Sequence, residues 1–186
     1  GAKFVREVEP GEVVLIGPGG VRSRHPFRDL QTRRSHCLFE HVYFARPDSV
    51  VFGESVAVVR RRLGERLAEE HPAEADLVVP VPDSGNFAAE GFAARSGIPL
   101  GHGFIRNHYV GRTFLQPTSD RRSLKARIKL NPLREVVAGK RIVVVDDSIV
   151  RGTTARDRVA LLRGAGAREV HLRVSCPPHR HPCYYG

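Results

Sequence analysis

At 186 residues the chain has room for one domain, with or without an appendage, and enough length to bury most of its apolar surface. No apolar run approaches the ~20 residues that a membrane span needs, and the amino terminus carries no secretory pattern, so a helical membrane protein is excluded and a cytoplasmic setting is expected. The formal charge of +10 invites a nucleic-acid reading, but the basic residues are scattered (Arg60 to Arg62, Arg121 and Arg122, Lys125 to Lys129) without aromatic interleaving or zinc-finger spacing, and neither nucleic acid nor membrane is expected as a partner.

The chain opens on Gly1 and contains no Met, which predicts a processed or partial chain. Residues 1 to about 25 read as a hairpin, with an apolar stretch from Glu12 to Ile16 and a Gly17-Pro18-Gly19-Gly20 turn. From Cys37 to Phe44 apolar residues dominate, predicting a buried strand that Arg46-Pro47-Asp48-Ser49 breaks. A helix is expected from Ser55 to His71, with Val56, Val59, Leu63 and Leu67 on one face and its arginines solvated. Leu77 to Val81 predicts a second buried strand; Pro82-Asp83-Ser84-Gly85-Asn86 follows and a helix runs from Phe87 to Arg95. Asp, Ser and Asn at that turn suit an ordinary helix cap as well as a ligand loop. Ile105 to Asn131 is rich in charge and poor in periodicity, a long connection of the kind that carries function, and reads as a lid.

The chemistry concentrates after the next strand. Ile142 to Val145 is a run of branched apolar residues with no polar alternation, as in a parallel strand covered on both faces. It ends in Asp146 and Asp147, at the carboxyl edge where open α/β sheets bind ligands. Adjacent carboxylates can accept hydrogen bonds from a vicinal diol or bind a hard cation. Gly152 allows close backbone approach, and Thr153 and Thr154 precede a helical run from Ala155 to Arg163, whose first amides could cradle a phosphate beside Arg151. Acids for a sugar and amides for a phosphate, in order on one βα unit, describe a phosphorylated ribose; a solvated Asp-Asp turn with an ordinary cap is the alternative. Gly164 and Gly166 end the helix, and Val170 to Val174 is a further strand, so the βα rhythm implies a parallel α/β sheet.

The stretch from Val144 to Thr154 resembles the phosphoribosylpyrophosphate (PRPP) signature of the type I phosphoribosyltransferase family, in the form carried by its glutamine amidophosphoribosyltransferase branch. The likeness extends to Cys37 to Ser49, Arg106 to Pro117 and Ser175 to Gly186, and so covers most of the chain. It implies the type I phosphoribosyltransferase fold: a mainly parallel, twisted sheet flanked by helices, with a flexible lid. Residues 26–186 would be a carboxy-terminally incomplete phosphoribosyltransferase domain, and residues 1–25 the end of a missing glutaminase domain or a linker. That glutaminase domain would begin with a nucleophilic Cys where this chain has Gly1, leaving free ammonia as the nitrogen source.

The implied reaction is displacement at the anomeric carbon of PRPP by ammonia, glutamine-derived in the whole enzyme, giving 5-phosphoribosylamine and pyrophosphate at the first committed step of purine synthesis. Asp146 and Asp147 would hold the ribose hydroxyls and help place Mg²⁺, with Ser148, Arg151, Gly152, Thr153 and Thr154 around the 5-phosphate. Asp83, Ser84 and Gly85 would form the pyrophosphate loop, with Ser84 touching Mg²⁺. Tyr109, Arg112 and Thr113 lie in the matching lid motif, where Arg106-Asn107-His108-Tyr109 stands for the family's Lys-Asn-Arg-Tyr. Purine nucleotides as inhibitors and a homo-oligomeric assembly complete the partners.

Of the three cysteines, Cys37 and Cys183 match positions that hold a [4Fe-4S] cluster in some family members, which add two more from a downstream CxxC. Cys176-x-x-His179-x-His181-x-Cys183 has the look of a metal cluster but fits no standard zinc spacing, and the alternative is that all three cysteines are small buried apolar residues. Two other functions stay open: another PRPP-dependent phosphoribosyltransferase, and a PRPP-sensing transcriptional regulator.

Overall fold

The computed structural model describes residues 3–30, 35–107 and 130–181, and the chain divides into two compact units, Gly1–Cys37 and Leu38–Gly186. In the first unit, strands β1 (Val13–Gly17) and β2 (Gly20–Arg24) pair antiparallel in the expected hairpin, with Val13 opposite Arg24 and Gly17 opposite Gly20. Arg6 braces it from outside, its guanidinium donating to both carboxylate oxygens of Glu12 at 2.8 and 2.6 Å.

The second unit is built on a three-stranded parallel sheet in the order β5 (Leu77–Pro80), β8 (Arg141–Asp146), β9 (Glu169–Val174). Leu77 pairs with Ile142 and Pro80 with Val145, while Asp146 pairs with Val174. Because side chains alternate along a strand, the unbroken apolar runs feed two cores at once. Val78, Val143 and Val145 pack with Leu67 and Ala68 of α1 (Val56–Glu70) and Ala88, Ala89 and Phe92 of α2 (Asn86–Ser96). Leu77, Val79, Ile142 and Val144 pack instead with Val137 of α3 (Arg134–Val137) and Leu162 of α4 (Thr153–Gly164). Each fully buried branched side chain contributes roughly 1.5–3 kcal/mol, so the sheet is the main store of stability.

α1 and α2 cross in backbone contact. A Cβ on Gly64 would lie 1.8 Å from the carbonyl oxygen of Ala88, and one on Gly91 would lie 2.0 Å from that of Arg61. The remaining pairs are short and antiparallel: β3 (Val50–Val51) with β4 (Glu54–Ser55), and β6 (Phe104–Arg106) with β7 (Leu130–Pro132), which flank residues 108–129. The sequence-predicted lid therefore lies mostly outside the described residues.

Two expectations are corrected. Cys37 to Phe44 is not a buried strand: Glu40–Phe44 forms a π-helical turn, with Cys37, Leu38, Tyr43 and Phe44 exposed. A short apolar run fits helix and strand alike, and here the helical choice brings Phe39 against Phe44, with ring centroids 5.8 Å apart. Nor are all the arginines of α1 solvated. Arg60 is 4% exposed, its Nε donating to the carbonyl of His41 at 2.6 Å and its Nη2 to that of Ala45 at 2.9 Å, which satisfies carbonyls the π-helical turn leaves open.

Candidate active site

β8 ends by burying both acids: Asp146 is 1% exposed and Asp147 6%. Backbone bonds fix the place where they emerge, since the amides of Ser175 and Cys176 donate to the carbonyls of Asp146 and Asp147 at 3.0 and 2.9 Å. Asp147 accepts from Ser84 Oγ on one oxygen and from Ser148 Oγ on the other, each at 2.7 Å. Asp146 accepts the amide of Asp147 on Oδ1 at 3.0 Å and pairs through Oδ2 with Nη1 of Arg158 on α4. Burial pushes the Asp146 carboxyl up to about 6 even though the Arg158 charge works to lower it; the neighbouring Asp147 charge adds to the rise.

The two βα turns meet at this point. The amide of Val81 donates to Val145 at 2.9 Å and that of Gly85 to Val81 at 2.9 Å. A Cβ on Gly85 would stand 2.5 Å from the carbonyl oxygen of Val145 and 2.8 Å from that of Val81, so only glycine lets α2 start this close to β8. Ser84 thereby reaches Asp147 across 63 positions of sequence. Asp83 is exposed and ion-paired with Arg106 at the end of β6.

The other turn is open. Gly152 caps α4 in the left-handed region (φ +72°) with no atom within 4 Å of a Cβ placed there, and Arg151, Thr153 and Thr154 are exposed around it. A twelve-residue helix thus presents its amino-terminal amides and two hydroxyls to solvent beside the acid pair, an arrangement suited to an anion.

The structure therefore brings together Ser84, Gly85, Asp146, Asp147 and Ser148, and places Arg151 to Thr154 on the adjoining turn. Tyr109, Arg112 and Cys183 lie outside the described residues. Cys37 is exposed in the first unit, and among the described residues no three His, Cys, Asp or Glu gather as a metal site. Sequence reasoning missed Arg158 and the buried role of Arg60, and placed Arg106 in the lid motif without its partner Asp83. For Arg158 a signal was present: it lies four residues before the fully buried Leu162, a charge within the apolar stripe of its helix.

The sequence matches the phosphoribosyl transferase domain over residues 53–185. This chain belongs to the phosphoribosyltransferase family. It is 54% identical over its whole length to the amidophosphoribosyltransferase of Methanothermobacter thermautotrophicus, covering 39% of that protein, and 55% identical to that of Synechococcus elongatus, covering 37%. It superposes on the glutamine PRPP amidotransferase from B. subtilis, complexed with ADP and GMP, with a TM-score of 0.83 at 52% identity, over 98% of this chain and 40% of that one. The chain thus spans about two fifths of the length of these relatives. The α/β phosphoribosyltransferase fold expected from sequence is the fold observed, and no described helix is long and apolar enough to cross a membrane.

Proposed function

We propose that the complete protein carrying this chain is an amidophosphoribosyltransferase acting in the cytoplasm at the first committed step of purine synthesis, with residues 26–186 binding PRPP and residues 1–25 ending a glutaminase domain or linker. The observation that carries the reading is the convergence of buried Asp146 and Asp147, Ser84 from the neighbouring turn and an open helix start at Thr153. The relatives named amidophosphoribosyltransferase, aligned over the whole of this chain, support it.

In this reading Asp146 and Asp147 accept hydrogen bonds from the ribose diol, and Ser148, Arg151 and the amides and hydroxyls from Gly152 to Thr154 hold the 5-phosphate. Asp83, Ser84 and Gly85 line the pyrophosphate site, and Tyr109 and Arg112 belong to the segment that closes over substrate. Ammonia attacks the anomeric carbon with its own lone pair as the bond to pyrophosphate oxygen breaks, and the resulting ammonium loses a proton to give the amine. With no strong base required, catalysis rests on orientation, charge and the exclusion of water.

Magnesium fits the donor set, because Ser84 Oγ lies 2.7 Å from a carboxylate oxygen of Asp147 beside Asp146, and this cation takes one or two carboxylates and leaves its other positions to water and phosphate. When bound it would neutralise the departing pyrophosphate. A [4Fe-4S] cluster needs four thiolates and the chain has three cysteines, so these residues alone do not fit it and no step depends on it. The complex of the B. subtilis relative with ADP and GMP supports purine nucleotides as inhibitors, and a homo-oligomer remains part of the proposal.

The test is ammonia-dependent pyrophosphate release from PRPP by the complete protein. Changing Asp146 and Asp147 together to Ala should lower the rate at least about a thousandfold. Retained PRPP binding and turnover in that variant would overturn the assignment, and turnover with a free base but not with ammonia would redirect it to another phosphoribosyltransferase.

A further inference from the structure

The ion pair between Arg158 and Asp146 is not explained by packing. Arg158 projects from α4 with its side chain 20% exposed, and its Nε is buried with no hydrogen-bond partner among the described residues. An arginine that leaves a donor unsatisfied is a poor stabiliser, and a hydrocarbon of similar volume would serve that stripe of the helix at least as well. Among the described residues its side chain makes one polar contact, Nη1 donating to Oδ2 of Asp146.

We propose that Arg158 is a positioning residue for PRPP: it fixes the Asp146 carboxylate from the helix side so that its free lone pairs stay directed at the ribose diol. Each carboxylate oxygen accepts two hydrogen bonds. The Asp147 amide occupies one position on Oδ1 and Arg158 one on Oδ2, which leaves one on each without a partner among the described residues. The Asp147 carboxylate is held by different side chains, Ser84 and Ser148. Arg158 also ties Asp146 to α4, the helix whose first turn would grip the 5-phosphate, and so sets the spacing between the two ends of the sugar.

This inference rests on the proposed function, and the experiment separates the two. In the complete protein, KM for PRPP, KM for ammonia and kcat are measured for Arg158→Met, Arg158→Lys and Asp146→Asn, with PRPP binding followed by calorimetry and folding by thermal melting. Arg158→Met should raise the PRPP KM and Kd about tenfold, the scale on which groups that orient a binding carboxylate act, with the ammonia KM unchanged and kcat within about threefold. Since only Nη1 is used, Arg158→Lys should recover most of the loss. A Met variant that melts earlier but keeps the parental PRPP KM has lost only structure and overturns the proposal, as does a Lys variant no better than Met. If Met fails to fold, Lys decides alone: PRPP affinity near the parent's supports the proposal, and affinity as poor as that of Asp146→Asn overturns it. If Asp146→Asn itself leaves PRPP binding intact, the functional reading fails as well, a result distinct from silence at Arg158 alone.

Discussion

β8 meets an aspartate–arginine pair at each end, and the two pairs behave in opposite ways. At its first residue Arg141 donates from the side chain to Asp76 at 2.8 Å and from the backbone at 2.8 Å, in the open, and these bonds pull the Asp76 carboxyl down to about 2. At its last residue Asp146 also has an arginine, yet burial outweighs the partner and the carboxyl rises to about 6. The same chemical pair gives opposite shifts because one site keeps its water and the other has lost it. The solvated pair ties the strand to its neighbour; the buried pair places charge where a ligand would have to supply what water does not.

The largest effect expected to sharpen this contrast is at the buried end. Asp146→Asn, nearly the same in shape, should lower kcat/KM for PRPP about a hundredfold or more, while Asp76→Asn should stay within about twofold of the parent in the same assay. Comparable losses from both would erase the distinction. Next comes Gly85→Ala, where the new methyl meets two carbonyl oxygens that cannot turn aside. Denaturant midpoints should record a loss of about 1–3 kcal/mol. Gly152→Ala meets no atom and suffers only from its positive φ, so the expected loss is about 1 kcal/mol; a larger loss than at Gly85 would mean that the open turn is the more tightly held of the two.

The smallest effect is the acid limb of Asp76. Its folded pKa lies below the unfolded value of about 4, so its contribution is fully present above that value and is lost as pH falls from about 4 towards about 2. Melting temperatures between pH 5 and pH 2 should fall more shallowly for Asp76→Asn than for the parent, and the side chain's exposure keeps the difference modest.

What could be read from the sequence follows the same division. Ile142 to Val145 and Leu77 to Val79 were legible because a strand covered on both faces leaves an unbroken apolar run, and both faces are indeed packed. The order of strand, acids, glycine and threonines gave the candidate site, since all of it belongs to one βα unit. Cys37 to Phe44 was misread because its helical form depends on Arg60, far along the chain, and on local ring contacts that composition does not encode. Arg158 was missed because its partner is set by how α4 docks on β8, whereas Ser84 and Asp147 were each visible while the bond between them was not.

The contact of α1 with α2 bears on this chemistry from the far side of the sheet. Gly64 and Gly91 let the two backbones touch, with no side chain between them to act as a cushion. α2 begins at Asn86, directly after Ser84 and Gly85, so whatever wedges the helices apart also drags the serine hydroxyl away from Asp147. A single added carbon at Gly64, on a helix that holds none of the proposed substrate ligands, would therefore register as a fault in catalysis.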